Sequence, residues 1–209
     1  MKLLGRKLGC TITAAGLLAV FPATTFAETP QNSINLTVAV LPKIGDVGAT
    51  ALMGEYERLI SPRLSVFLRG SLLKYKWDDG TYVEDGKGTG FGPGVRFFPQ
   101  GGGLKGLYVG GSVGLFKSKW DFIDDKGQSF ESRGTGDSTS VQWGGELGYR
   151  FNLGSELISL TPALQAGSWI GGSNSCSYTA PPAKVGTSCA KESQLGFYVV
   201  GSVSLGIAF

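Results

Sequence analysis

From Leu195 to Phe209 the chain alternates between two kinds of residue. Ile207, Leu205, Val203, Val199, Phe197 and Leu195 share one face, broken only at Gly201. Ala208, Gly206, Ser204, Ser202, Val200, Tyr198 and Gly196 share the other. Period-two alternation marks a strand with one apolar face, and this run far exceeds the roughly 5–6 residues of an ordinary globular strand. The pattern recurs seven more times, predicting strands over 33–42, 49–60, 63–77, 87–98, 105–118, 139–152, 157–170 and 194–209. In the sixth, Val141, Trp143, Leu147, Tyr149 and Phe151 alternate with Gln142, Gly144, Glu146, Gly148 and Arg150.

The connections alternate in length. Ser61-Pro62, Pro99 to Leu104 and Leu153 to Glu156 are short turns, whereas 43–48, 78–86, 119–138 and 171–193 are longer polar segments. Short turns on one side and long loops on the other are the rhythm of a transmembrane β-barrel. A soluble barrel would turn its apolar face inward and its charged face outward. Here the minority face carries glycine, serine and a few charges, which suits a narrow eight-stranded lumen filled by side chains. The expected fold is therefore all-β, an eight-stranded antiparallel up-and-down transmembrane barrel.

With the faces set this way, Glu55, Glu57, Arg69, Arg96, Glu146 and Arg150 point into the lumen. Three acids and three bases confined there are expected to pair, because an unpaired buried charge is costly. A polar network that plugs the barrel is the simpler expectation; a gate whose ion pairs exchange is the functional one. Gly90, Gly92 and Gly94 on an inner face make room for bulky neighbours such as Phe67 or Phe116. The run Gly88 to Gly94 lacks the Gly-Lys-Ser/Thr ending of a phosphate loop.

Lys74, Lys76, Lys117 and Lys119 fall near the upper strand ends, where basic residues attract anionic lipid or simply snorkel. Trp77, Trp120 and Trp143 above, with Tyr56, Tyr149, Phe151 and Phe209 below, are expected to form two aromatic girdles. The acidic loops around Asp78, Asp79, Glu84 and Asp85, and around Asp121, Asp124 and Asp125, lack the ligand spacing of an EF-hand. Solvated loop tips are the expectation there, with no metal.

Composition narrows the chemistry. The chain has 209 residues, 34 glycines and no histidine, which removes the commonest general base and the commonest zinc ligand. Its formal charge is +3. Lys2, Arg6 and Lys7 supply that excess within a first segment that reads as a secretory signal: a basic start, an apolar stretch from Thr11 to Val20, and small residues before a cut after Ala27. Its apolar run is too short for a membrane-spanning helix, and Leu8-Gly9-Cys10 precedes that run where a lipoprotein site would follow it. The domains expected are a cleaved signal over 1–27 and a barrel over 28–209. The mature part balances at 16 basic and 16 acidic residues, without the basic excess of a nucleic-acid binder. Cys176 and Cys189 remain in an exported chain and are expected to form a disulfide in the last loop.

On its signal ending Thr25-Phe26-Ala27, its loop rhythm, Gly106-Leu107-Tyr108-Val109-Gly110 and its closing Val203-Ser204-Leu205-Gly206-Ile207-Ala208-Phe209, the chain resembles the small eight-stranded outer-membrane barrels of Gram-negative bacteria. These are the superfamily of outer-membrane proteins A and X and the opacity adhesins. The resemblance implies an outer-membrane location and that Phe209, with Ile207 and Leu205, is read by the barrel-assembly machinery. It carries over no catalytic residue. Outer-membrane enzymes of this size resemble sites that require histidine, and aqueous porins need about 16 strands. The expected role is a surface protein of adhesion or surface-antigen type, without cofactor, whose partners are outer-membrane lipid, lipopolysaccharide and a host or cell-surface ligand met by the long loops. The alternative is a narrow, porin-like pore or small-molecule conduit.

Overall fold

The computed structural model describes residues 30–44, 47–154, 157–181, 185–188 and 196–209. Eight strands follow one another: β1 (Asn32–Ile44), β2 (Val47–Ser61), β3 (Leu64–Asp78), β4 (Val83–Phe97), β5 (Gly106–Asp124), β6 (Ser132–Asn152), β7 (Ile158–Ala180) and β8 (Phe197–Ala208). Each pairs antiparallel with its neighbours, and β1 closes the ring on β8 through Leu36 opposite Leu205 and Val38 opposite Val203. Closure leaves no unpaired sheet edge. The signal segment 1–27 lies outside the described residues.

The alternation sorts the side chains. Ile34, Leu36, Leu68, Leu115, Leu147 and Leu205 stand outward and exposed, while Asn35, Glu55, Phe67 and Tyr108 are buried inside. On β6 the outward apolar positions run from Val141 to Phe151. At about 3.4 Å per residue and a tilt near 40°, that ten-step span rises roughly 26 Å, the height of a lipid-facing band.

Above that band the structure departs from the sequence expectation. The segments expected as loops over 78–86 and 119–138, and the described part of 171–193, are largely strand. β5 continues to Asp124, β6 starts at Ser132, and β7 runs on to Ala180. Ser118 faces Ser138, Trp120 faces Gly136 and Phe122 faces Gly134 across the β5–β6 ladder, well beyond the apolar band. The β6–β7 register shifts between Thr139 and Val141, where Gly171 and Gly172 adopt φ of +60° and +107°. Only glycine enters that region freely. The Gly-Gly pair therefore makes a bulge that re-aims β7 without ending it.

Extension past residue 118 also corrects the upper girdle. Because β5 keeps its period, Trp120 points inward and is 2 % exposed. Trp77 is half-buried against the same interior cluster, whereas Trp143 lies outward as expected, next below Val141 at the upper edge of the band and opposite Val113 and Ser168. The lower aromatics Tyr56, Tyr149, Phe151 and Phe209 all lie outward and exposed.

Candidate functional site

The lumen begins with a floor. The turn over 98–105 folds under the ring, held by Phe98 N–H to the Arg63 carbonyl at 2.8 Å. Phe98 and Leu104 pack there with Leu59 and Tyr108.

Above the floor sits a cluster of six charges, delivered by register. Glu55 on β2 lies directly opposite Arg69 on β3, and the Arg69 guanidinium donates to Glu55 at 2.8 Å and to Glu146 at 2.7 Å. Arg96 on β4 is the hub: it contacts Glu55 and Glu146, and its Nη1 lies 2.9 Å from Glu57. Glu146 is on β6, with β5 between it and Arg96. Gly110 is the residue of β5 in that row, and a β-carbon there would fall 3.0 Å from the side chains of both. Its missing side chain leaves the path open. Arg150 Nη2 meets Glu57 at 2.5 Å. Ser65 donates to Glu57 at 2.5 Å and Asn35 to Glu55 at 3.1 Å. Phe67 supports the hub, its ring centre 4.3 Å from the Arg96 guanidinium carbon and 4.6 Å from that of Arg69. Three carboxylates against three guanidiniums leave this level formally neutral.

The next level is polar and aromatic. Gln142 donates to the Tyr198 hydroxyl at 3.2 Å, and Trp169 lies between Tyr198 and Phe116 at ring distances of 4.7 and 5.4 Å. A cavity of about 40 Å³ remains beside Ser71, Gly90, Gly114 and Tyr198. At the top, Tyr75, Tyr82, Trp120 and Phe122 form a second apolar cluster. The hydroxyls of Tyr75 and Tyr82 donate to the buried Glu84 at 2.6 and 2.8 Å.

Inward rings repeatedly lie over a glycine of the neighbouring strand. Phe67 covers Gly94, Tyr75 covers Gly86, Tyr108 covers Gly148 and Trp120 covers Gly136; a β-carbon at any of these glycines would collide with the ring. Phe116 covers Gly88 and Gly90 in the same way. The inner-face glycines are sockets for aromatic side chains.

The acidic segments do not converge on a cation site. Among the described residues no three metal-ligating side chains gather. Glu84 is spent on the two tyrosines inside, while Asp85 and Asp121 point outward. Asp79 folds its own loop, accepting from the Tyr82 N–H at 2.6 Å, the Thr81 N–H at 2.9 Å and the Thr81 hydroxyl at 3.0 Å. Those bonds, the Tyr82 amide foremost, hold its carboxyl below the usual aspartate range. Cys176 is half-buried against the upper cluster; Cys189 lies outside the described residues. Phe209 exchanges both backbone hydrogen bonds with Asn32, at 2.9 and 3.0 Å.

The floor cluster and the role of Gly110 were not read from the sequence, and Glu84, expected at a solvated loop tip, is instead fully buried on the inward face of β4. Phe98 follows the outward Phe97 and so carries inward parity, which is the signal that marks it.

No family model matches the chain, and no curated protein does. Among solved structures, a major outer membrane protein from Thermus thermophilus aligns with a TM-score of 0.50 at 12 % identity, covering 84 % of this chain and 99 % of its own. The fold is that of the small outer-membrane β-barrels. The attachment invasion locus protein of Yersinia pestis aligns at 12 % identity over 87 % of this chain and 98 % of its own, TM-score 0.47. The outer membrane protein OprG of Pseudomonas aeruginosa aligns at 15 % identity over 87 % and 97 %, TM-score 0.47.

Proposed function

We propose that the mature chain is an outer-membrane surface protein of adhesion or surface-antigen type, without catalytic activity, whose lumen is closed and whose extracellular hairpins meet the partner. One observation carries the reading: side chains occupy the lumen level by level, and at the charge cluster Arg150 of β6 bonds Glu57 of β2 across the full width of the ring. An interior of eight strands holds side chains and little more. The outward apolar band, unsuited to water, supports insertion in lipid. Phe209, with Ile207 and Leu205 on the lipid face, serves as the mark for the assembly machinery, and lipopolysaccharide is the outer-leaflet partner. The absence of histidine supports a non-enzymatic role.

A conduit through the wall is the competing reading, and one observation favours it. The lumen keeps a cavity of about 40 Å³ beside the small residues Ser71, Gly90, Gly92 and Gly114. Single-channel conductance of the refolded mature chain separates the two. A silent wild type, with openings only after Arg96→Ala or Glu146→Ala, supports closure by the charge cluster. Discrete, stable wild-type openings overturn it.

A further inference from the structure

Lys74, Lys87 and Lys119 come from three successive strands, and the register sets them side by side: Lys74 opposite Lys87, and Lys87 opposite Lys119. All three are exposed and point outward. Strands lie about 4.8 Å apart, so the three stems emerge within roughly 10 Å. Lys117 is two residues closer to the apolar band on β5, opposite Thr89. The band itself starts one row lower, at Phe91, Leu115 and Val141. Among the described residues, no carboxylate forms an ion pair with any of these four lysines. Lys76, one row higher, faces Asp85 across the ladder, and Lys119 faces Asp137 on its β6 side without an ion pair forming.

Like charges directly opposite one another in a sheet are destabilising. A row of three is tolerated where an anion joins it. The row borders an outward groove of about 650 Å³ whose floor runs over Gly86, Trp120 and Gly136. Asp85 and Asp121 line its far side, one row further from the apolar band, while Asp137 ends the lysine row opposite Lys119, where its carboxylate accepts from the Ser175 hydroxyl at 2.6 Å. The groove thus offers cations at the membrane edge and hydrogen-bond acceptors above them. A phosphorylated glycolipid has the matching order: acyl chains in the band, phosphates next, sugar hydroxyls outermost.

We propose that Lys74, Lys87 and Lys119, with Lys117 below them, clamp the phosphates of a lipid A headgroup in the outer leaflet, the sugar resting against the aspartates. The proposal rests on the outer-membrane reading above and specifies the lipid contact that reading leaves general.

Insertion is scored first, as heat-modifiable migration after refolding into phosphatidylcholine vesicles. A chain that does not insert overturns the outer-membrane reading, and the clamp with it. For the inserted barrel, transferred to neutral detergent, binding of fluorescent bisphosphorylated lipid A is titrated. Lysines near a membrane surface contribute about fivefold each in affinity. The variant Lys74→Gln/Lys87→Gln/Lys119→Gln is therefore expected to bind on the order of a hundredfold more weakly. A control removing equal charge away from the row, Arg63→Gln/Lys126→Gln/Arg133→Gln, is expected to bind like wild type. Dephosphorylated lipid A is expected not to compete. Equal binding by the triple variant, or equal competition by dephosphorylated lipid, overturns the clamp. Displacement by inorganic phosphate or by a sulfated polysaccharide at matched charge overturns the assignment to lipid.

Discussion

Arg150 on β6 and Glu57 on β2 stand on opposite walls of the ring, and their side chains meet at 2.5 Å. Neither is more than 3 % exposed, so the pair ties the barrel across its diameter and not along a ladder. Losing one partner of such a buried pair leaves the other uncompensated, at a cost of about 3–5 kcal/mol. Glu57→Ala is expected to lose that much, and the double variant Glu57→Ala/Arg150→Ala less than the sum of the singles. Urea titration of the barrel in vesicles, run as a double-mutant cycle, checks both; strict additivity would refute the coupling.

The aromatic sockets give a sharper contrast. Gly94→Ala drives a methyl group into the Phe67 ring, whereas Gly201→Ala meets nothing within 4 Å. Overpacking costs about 1–3 kcal/mol, so the first substitution is expected to destabilise by that amount and the second to be near neutral. Adding Phe67→Ala to Gly94→Ala relieves the collision but exposes the arginine hub, so recovery is expected to be partial. Unfolding midpoints of the four proteins settle the order.

Severing the Arg96–Glu146 contact requires no charge to be removed. Gly110→Leu would fill the gap in β5 through which the two side chains reach each other. Single-channel recordings of this variant are expected to match those of Glu146→Ala. Recordings identical to wild type would show that the hub holds without that contact.

The loop turned by Asp79 carries a pH dependence of known sign. The Tyr82 and Thr81 amides depress its carboxyl. The contribution of this turn is therefore fully present above the ordinary aspartate range and is lost as pH falls through the depressed value. Amide shifts of Thr81 and Tyr82, followed by NMR through acid, are expected to titrate together below that range. In Asp79→Ala they are expected not to titrate.

Cys176 and Cys189 are expected to leave a non-reducing digest as one linked peptide pair. Quantitative alkylation of both without reductant would show free thiols instead.

Within the lipid band the fold was legible because the solvent contrast is strongest there. Leu147 and Tyr149 stand outward in the apolar band while Glu146 and Gly148 face the lumen, so period two is written in hydrophobicity. Above the band the outward face of β5 meets water, while its inward face packs into the aromatic cluster. Lys117, Lys119 and Asp121 then alternate with Phe116, Ser118, Trp120 and Phe122, and the outward polarity reads as a loop. The six luminal charges could be assigned a face by parity alone. Which of them touch depended on register, invisible in one sequence, and so did the place of Lys87 beside Lys74 and Lys119. The Gly171-Gly172 bulge reversed the parity of β7 partway up, which no uniform alternation anticipates.

The continuation of β5, β6 and β7 past the band also governs how this surface can diversify. On the proposed reading, a partner would meet a curved wall whose inward half is committed to packing, so residues such as Trp120, Phe122, Gly134 and Gly136 are closed to change. Variation is channelled into the outward half, at positions like Asp121, Arg133, Thr135 and Asp137, by replacement in place. Insertions belong at the short tips, around 79–82 and 125–131. Length changes among relatives would therefore cluster at the crown, while change on the flanks would proceed one alternate residue at a time.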